Sequence, residues 1–167
     1  MEGEIVNRVA NSALVTFDLE DFYPEGRRMA LDIAPWLYEE VILREKEFRN
    51  HVKSIPLSEY QDAYVALNCS TEAIIPGWAY MLVSLQLSGV AKKVVVGSLE
   101  QLETLLFSEI ISTMDLSEYK NKPVIIKGCA HKPIPENAFV LLAQKLQPVA
   151  KSIMYGEACS SVPLFKN

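Results

Sequence analysis

From Tyr64 onward, short apolar runs alternate with longer segments of helical period. YVALNC (Tyr64–Cys69), KKVVVG (Lys92–Gly97), PVIIKGC (Pro123–Cys129) and IMYG (Ile153–Gly156) have the composition of strands. Their centres, VALN, VVV and VIIK, lack the polar alternation of a half-exposed strand and read as covered on both faces. Between them lie PGWAYMLVSLQLSG, SLEQLETLLFSEIISTM and PENAFVLLAQKL. Pro76 suits a helix start and Gly89 a helix end. Ser98 with Gln101 forms a capping box for the second helix, and its apolar stripe is Leu102, Leu105, Leu106, Ile110 and Met114. Strands alternating with helices predict parallel strands joined by crossover helices.

The N-terminal part is patterned differently. Leu14–Phe22 (LVTFDLEDF) alternates as a strand, Pro24-Glu25-Gly26 is a turn signal, and Arg27–Ile33 returns as a second strand, which together predict a hairpin. Asp18, Glu20, Asp21 and Asp32 read as its solvated face and turn; a site for a hard cation is the other reading. Pro35–Ile55 is open between one helix, with Trp36, Leu37, Val41, Phe48 and Val52 on a face, and a short strand EEVILRE before a helix. Helical pattern is clear only in the second half, around Phe48 and Val52, where His51 reads as a surface histidine. The expected fold is a single α/β domain over residues 1–167. It has a mostly parallel sheet covered by helices on both faces, and the N-terminal β-hairpin lies at its edge.

The two later strand–helix–strand segments echo each other. Without a gap, Pro76–Ser98 shifts onto Pro135–Glu157, so that Pro76 meets Pro135, Ala79 meets Ala138, Leu82 meets Leu141, and Gly97 meets Gly156. Val90-Ala91-Lys92 falls on Val149-Ala150-Lys151. The fold is therefore expected to be built on two repeated βαβ units, with Cys69 and Cys129 near equivalent strand ends.

Charge and length narrow the function classes. The formal net charge is −5 over 167 residues. No Lys/Arg cluster longer than a pair interrupts it, which argues against nucleic acid and against an anionic membrane surface as partners. No segment is apolar for long enough to span a bilayer, and the acidic start lacks the basic region of a signal peptide. The reading is a cytoplasmic protein, whose three cysteines are thiols, metal ligands or redox groups rather than paired disulfides.

All three cysteines follow predicted strands. Ligands of open parallel sheets bind beyond the carboxyl ends of the strands. Cys69, Cys129 and Cys159 on one rim, with His131 nearby, would make a metal set for zinc or an iron–sulfur cluster. Sulfurs sharing such a site would lie within about 10 Å of one another. No CxxC pair supports the set. Two alternatives stand beside it: an enzyme with Cys129 as nucleophile and His131 as base, and a scaffold or interaction module with no chemical site. Phosphate-loop, dinucleotide and GxSxG patterns are absent.

Five stretches, IVNRVANSALVTFDLEDFYPEG, LREKEFR, IIPGWAYML, VIIKGC and KSIMYGEACSSVPLFK, together resemble a bacterial family of uncharacterised proteins, the domain of unknown function 2480. The resemblance covers nearly the whole chain and carries no assigned activity. It implies a place beside iron–sulfur assembly and a protein partner in iron–sulfur or thiol metabolism. His131 lies outside these stretches.

Overall fold

The computed structural model describes residues 13–128 and 131–167. The chain is a mixed α/β protein with two mostly parallel sheets. It divides into two compact units, residues 24–105 and residues 1–23 with 106–167.

The 24–105 unit holds β2 (Arg28–Asp32), β3 (Tyr64–Asn68) and β4 (Lys93–Val96), while β1 (Val15–Phe17) belongs to the other unit. The sheet order is β2-β3-β4 and every pairing is parallel. Helix α1 (Glu45–Lys53) lies between β2 and β3, and α2 (Gly77–Leu87) crosses from β3 to β4. The centre of β3, Val65 to Leu67, is buried at every position, as its unbroken apolar sequence requires. Phe48 and Val52 of α1, Ala79, Val83 and Leu87 of α2, and Val65 and Leu67 of β3 form the core.

In the other unit, β1 and β5 (Pro123–Ile126) are parallel neighbours, and β5 pairs in parallel with β6 (Ser152–Glu157). Antiparallel β7 (Ser160–Lys166) completes the order β1-β5-β6-β7. Helix α4 (Glu136–Leu146) crosses from β5 to β6. The division between units falls within α3 (Leu99–Thr113). The expected capping box opens that helix: Gln101 Oε1 accepts from the Ser98 N–H at 2.7 Å, and Ser98 Oγ accepts from the Gln101 N–H at 3.2 Å. The core here contains Phe107 and Ile111 of α3, Ala138, Leu142 and Leu146 of α4, and Val124 and Ile126 of β5.

Two expectations are corrected. Among the described residues the strands form two sheets instead of one. The N-terminal hairpin is absent: β1 and β2 lie in different sheets, each parallel to its neighbour. The reason is local. The strand read as Leu14–Phe22 stops at Phe17, because the Asp18 carboxylate accepts from the Glu20 N–H at 2.9 Å and turns Leu19–Phe22 into a 3₁₀ turn. Pro24 and Gly26 do bend the chain, but their carbonyls accept from Arg28 instead of closing a strand pair. The structure also resolves the open stretch before Ile55. Ala34–Trp36 is a 3₁₀ turn, Tyr38 and Ile42 form an isolated bridge, and α1 begins at Glu45.

The two units place like elements at a constant offset. Gly77 and Glu136 start α2 and α4, 59 residues apart, and Lys93 in β4 is followed at the same distance by Ser152 in β6. Phe48 and Phe107, Val52 and Ile111, and Tyr60 and Tyr119 are buried at that offset too. Asp62 and Asn121 both adopt left-handed backbone, at φ 56° and 59°, a conformation that short polar side chains tolerate. Among the described residues no helix is long and apolar enough to cross a membrane.

Candidate functional site

The carboxyl ends of the parallel strands are the first place to look. In the unit containing β5, Asp18 and Lys127 directly follow the paired residues Phe17 and Ile126. Lys127 Nζ donates to Asp18 Oδ2 at 2.6 Å. Burial pushes the Asp18 carboxyl up, but Lys127 and the Glu20 N–H more than offset it and hold the group below the ordinary aspartate range. The hydrogen bond and charge of Asp18 raise Lys127 above its ordinary range. Glu20 Oε1 accepts from the backbone N–H of Lys132, at 2.8 Å, and of His131. The Lys132 bond is the largest reason that Glu20 is held low.

The equivalent edge of the 24–105 unit pairs Asp32 with Asn68. Asp32 Oδ1 accepts from the N–H groups of Ala34 and Ser70, and Oδ2 accepts from the Ser70 hydroxyl at 2.5 Å. Burial raises the Asp32 carboxyl, and these three bonds outweigh it. Asn68 Oδ1 is buried and has no hydrogen-bond partner among the described residues. Of the carboxylates read as a hairpin's solvated face, Asp18, Glu20 and Asp32 are instead turn caps and rim pairs that fasten the loops after β1 and β2, while Asp21 is exposed.

The proposed metal set is distributed as follows. Cys69 is half-buried in the 24–105 unit, with Sγ 3.3 Å from Thr71 Oγ1. Cys159 is exposed in the other unit, in the turn between β6 and β7. Sequence reading missed that turn because YGEACSS carries no Asn-Gly or Asp-Gly signal. His131 is exposed, and Cys129 lies outside the described residues. Among the described residues no three His, Cys, Asp or Glu side chains group to hold a metal ion. His51 stacks on Trp36, with ring centroids 5.9 Å apart.

A different feature dominates the surface of the 24–105 unit. Helix α2 is apolar on nearly every face and has no charged residue. Its inner positions Ala79, Val83 and Leu87 are fully buried. Its outer stripe remains exposed: Trp78 at 36%, Met81 at 65% and Leu85 at 70%, with Ile74 at 93% leading into the helix. Ile74 and Trp78 continue into a cleft of about 590 Å³ that Val41 and Ile42 also line, with Glu45 and Glu72 at its edge. Trp78 is held edge-on to Phe48 at 5.9 Å, and Arg49 lies 5.4 Å above its ring.

Helix α4 provides an internal reference. From Glu72–Val90 to His131–Val149, each residue has the same burial class as its counterpart 59 positions later. Two of the exposed apolar residues nevertheless have polar counterparts, while Met81 meets another exposed apolar residue and Ile74 a proline. Trp78 corresponds to Asn137, Met81 to Val140, Leu85 to Gln144 and Ile74 to Pro133. The fold therefore leaves these positions in water in both units, and its own packing does not demand apolar residues there. The segment PGWAYMLVSLQLSG reads as a helix in the sequence, but periodicity does not tell which of its apolar residues the core takes and which stay exposed.

Paired rim charges in one unit and a partly exposed apolar helix in the other belong to a small mixed α/β protein. The chain belongs to the family described as Protein of unknown function (DUF2480), whose model matches residues 3–167. No curated protein and no solved structure matches it.

Proposed function

We propose that the protein is an interaction module that works through the outer face of α2 and the adjoining cleft. The observation that carries this reading is the exposed run Ile74, Trp78, Met81 and Leu85, set against α4, where polar Asn137 and Gln144 stand in place of Trp78 and Leu85 and only Val140 is an exposed apolar side chain. Water in contact with this run costs free energy that a partner's surface would recover. Large exposed apolar patches with polar rims mark interaction surfaces. The two units act here as copies of one structural pattern: residues they share serve the fold, and exposed residues that differ report a task of one unit.

The rim carboxylates support the same reading from the other side. Asp18, Glu20 and Asp32 already accept two or more hydrogen bonds each from their own loops. They are occupied as fasteners, whereas a general acid or base needs its proton site open to a substrate. A zinc or iron–sulfur cluster on Cys69, Cys129, Cys159 and His131, and a Cys129 nucleophile, draw no comparable support from any side-chain grouping among the described residues.

Site-specific photo-cross-linking in cells tests the module. A benzophenone amino acid at Met81 should give a discrete protein adduct, and the same group at Val140 should give none. Equal yields at the two positions, or no adduct at either, would remove the proposal.

A further inference from the structure

The outer stripe of α2 has a definite geometry. Within α2, Trp78, Met81 and Leu85 step by three and four residues, and Ile74 precedes the helix. Steps of three and four average 3.5 residues, the spacing with which one helix packs along another as knobs into holes. Small-molecule pockets do not need such a repeat. A second helix carrying the same spacing does.

Three observations favour a second copy of this chain as the source of that helix. The first is charge. Helix α2 carries none, so two α2 helices meet without like-charge repulsion. The flank carries both signs, Glu45 and Glu72 beside Arg44 and Arg49, with Arg49 bonded to Glu45 and Arg44 to Glu47. A flank of mixed and internally balanced sign adds no like-charge repulsion to an isologous contact, in which the same patch faces itself. An antiparallel pair of α2 helices also sets their dipoles head to tail.

The second is area. Ile74, Trp78, Met81, Leu85, Val41 and Ile42 are each at least one-third exposed. Their surface is on the order of 600 Å², the upper end for the largest patch of a typical monomer. That is most of the ~800 Å² per partner of a stable interface. The third is composition. Trp, Met and Arg, the residues enriched at the centre of interfaces, are together here: Trp78, Met81 and Arg49 over the Trp78 ring.

Building on the interaction-module reading, we propose that the α2 face pairs with the same face of a second copy. The protein is then a two-fold dimer with Trp78, Met81 and Leu85 at its centre.

Sedimentation equilibrium of the full chain, from about 1 to 100 µM, tests this. The wild-type chain should reach the mass of two copies of the 18.7 kDa chain. The variant W78N/M81V/L85Q, which gives α2 the outer residues of α4, should sediment as a single chain. Because Trp78 also touches the core, M81Q/L85Q is examined beside it and should weaken the dimer by about 100-fold. Val140→Gln, at the matching position of α4, should leave the dimer unchanged. A wild-type chain that stays single, a dimer that survives both α2 variants, or one lost with Val140→Gln would each overturn the dimer. A single chain that still gives a discrete adduct with another protein from Met81 would leave the module standing and remove only the second copy. A single chain with no adduct would remove both.

Discussion

At the scale of single residues, the chain uses its carboxylates as fasteners, and this has a readable dependence on pH. Asp18, Glu20 and Asp32 are held below their ordinary ranges by the hydrogen bonds they accept. A depressed carboxyl stabilises the folded state above its unfolded value and loses that contribution as pH falls through its folded value. Stability is therefore expected to decline progressively below about pH 4. Lys127 is shifted the opposite way, upward. Its contribution is complete below the ordinary lysine value and is lost as pH rises through the raised one. Asp18→Asn should flatten both the acid and the alkaline limbs of the melting-temperature profile, whereas Asp32→Asn should flatten the acid limb alone. Identical profiles for the two variants would contradict the pairing of Asp18 with Lys127.

A second residue-scale case is Glu103, buried and bonded at 2.6 Å to Arg28. Arg28 also donates to the carbonyls of Pro24 and Gly26 and lies 4.9 Å over the Tyr64 ring. Removing one partner leaves the other charge buried. Glu103→Ala is expected to cost about 3 kcal/mol, measured by urea unfolding. A loss below about 1 kcal/mol would place this pair with ordinary surface ion pairs.

At the scale of elements, much was legible and the failures have physical causes. Helix α2, helix α4 and strands β3, β4 and β5 follow from unbroken apolar runs and helical period, and the Ser98–Gln101 box marks the start of α3. The offset between Pro76 and Pro135 is also the offset between the first residues of α2 and α4. The hairpin failed because alternation in LVTFDLEDF does not reveal that Asp18 will cap a turn. Strand β7 escaped because Pro163 and the exposed Val162 and Leu164 give SSVPLFK no clear period. Which sheet a strand joins depends on distant partners, and the local pattern carries no record of them. The β6–β7 turn makes its own prediction. Gly156 has φ 119°, and a Cβ there would lie 2.7 Å from the Ser160 carbonyl oxygen. Gly156→Ala should cost about 2 kcal/mol and loosen β7, seen as faster amide exchange over Ser160–Lys166. Unchanged exchange there would count against the strain.

At the scale of the whole molecule, two units of like pattern carry unlike surfaces. The sequence held the signal that mattered most, an α2 segment with no charged residue. Its meaning was hidden because a helix that is apolar all round reads as a core helix. Its placement leaves Met81 and Leu85, with Ile74 ahead of the helix, in water. The most direct measurement is the folding stability of M81Q/L85Q, followed through the fluorescence of Trp36 and Trp78 in urea at a concentration too low for association. If the α2 face serves contact, stability should stay within about 0.5 kcal/mol of wild type. A loss of about 2 kcal/mol or more, the cost of disturbing a packed core, would show that the fold itself uses this face and would contradict the account.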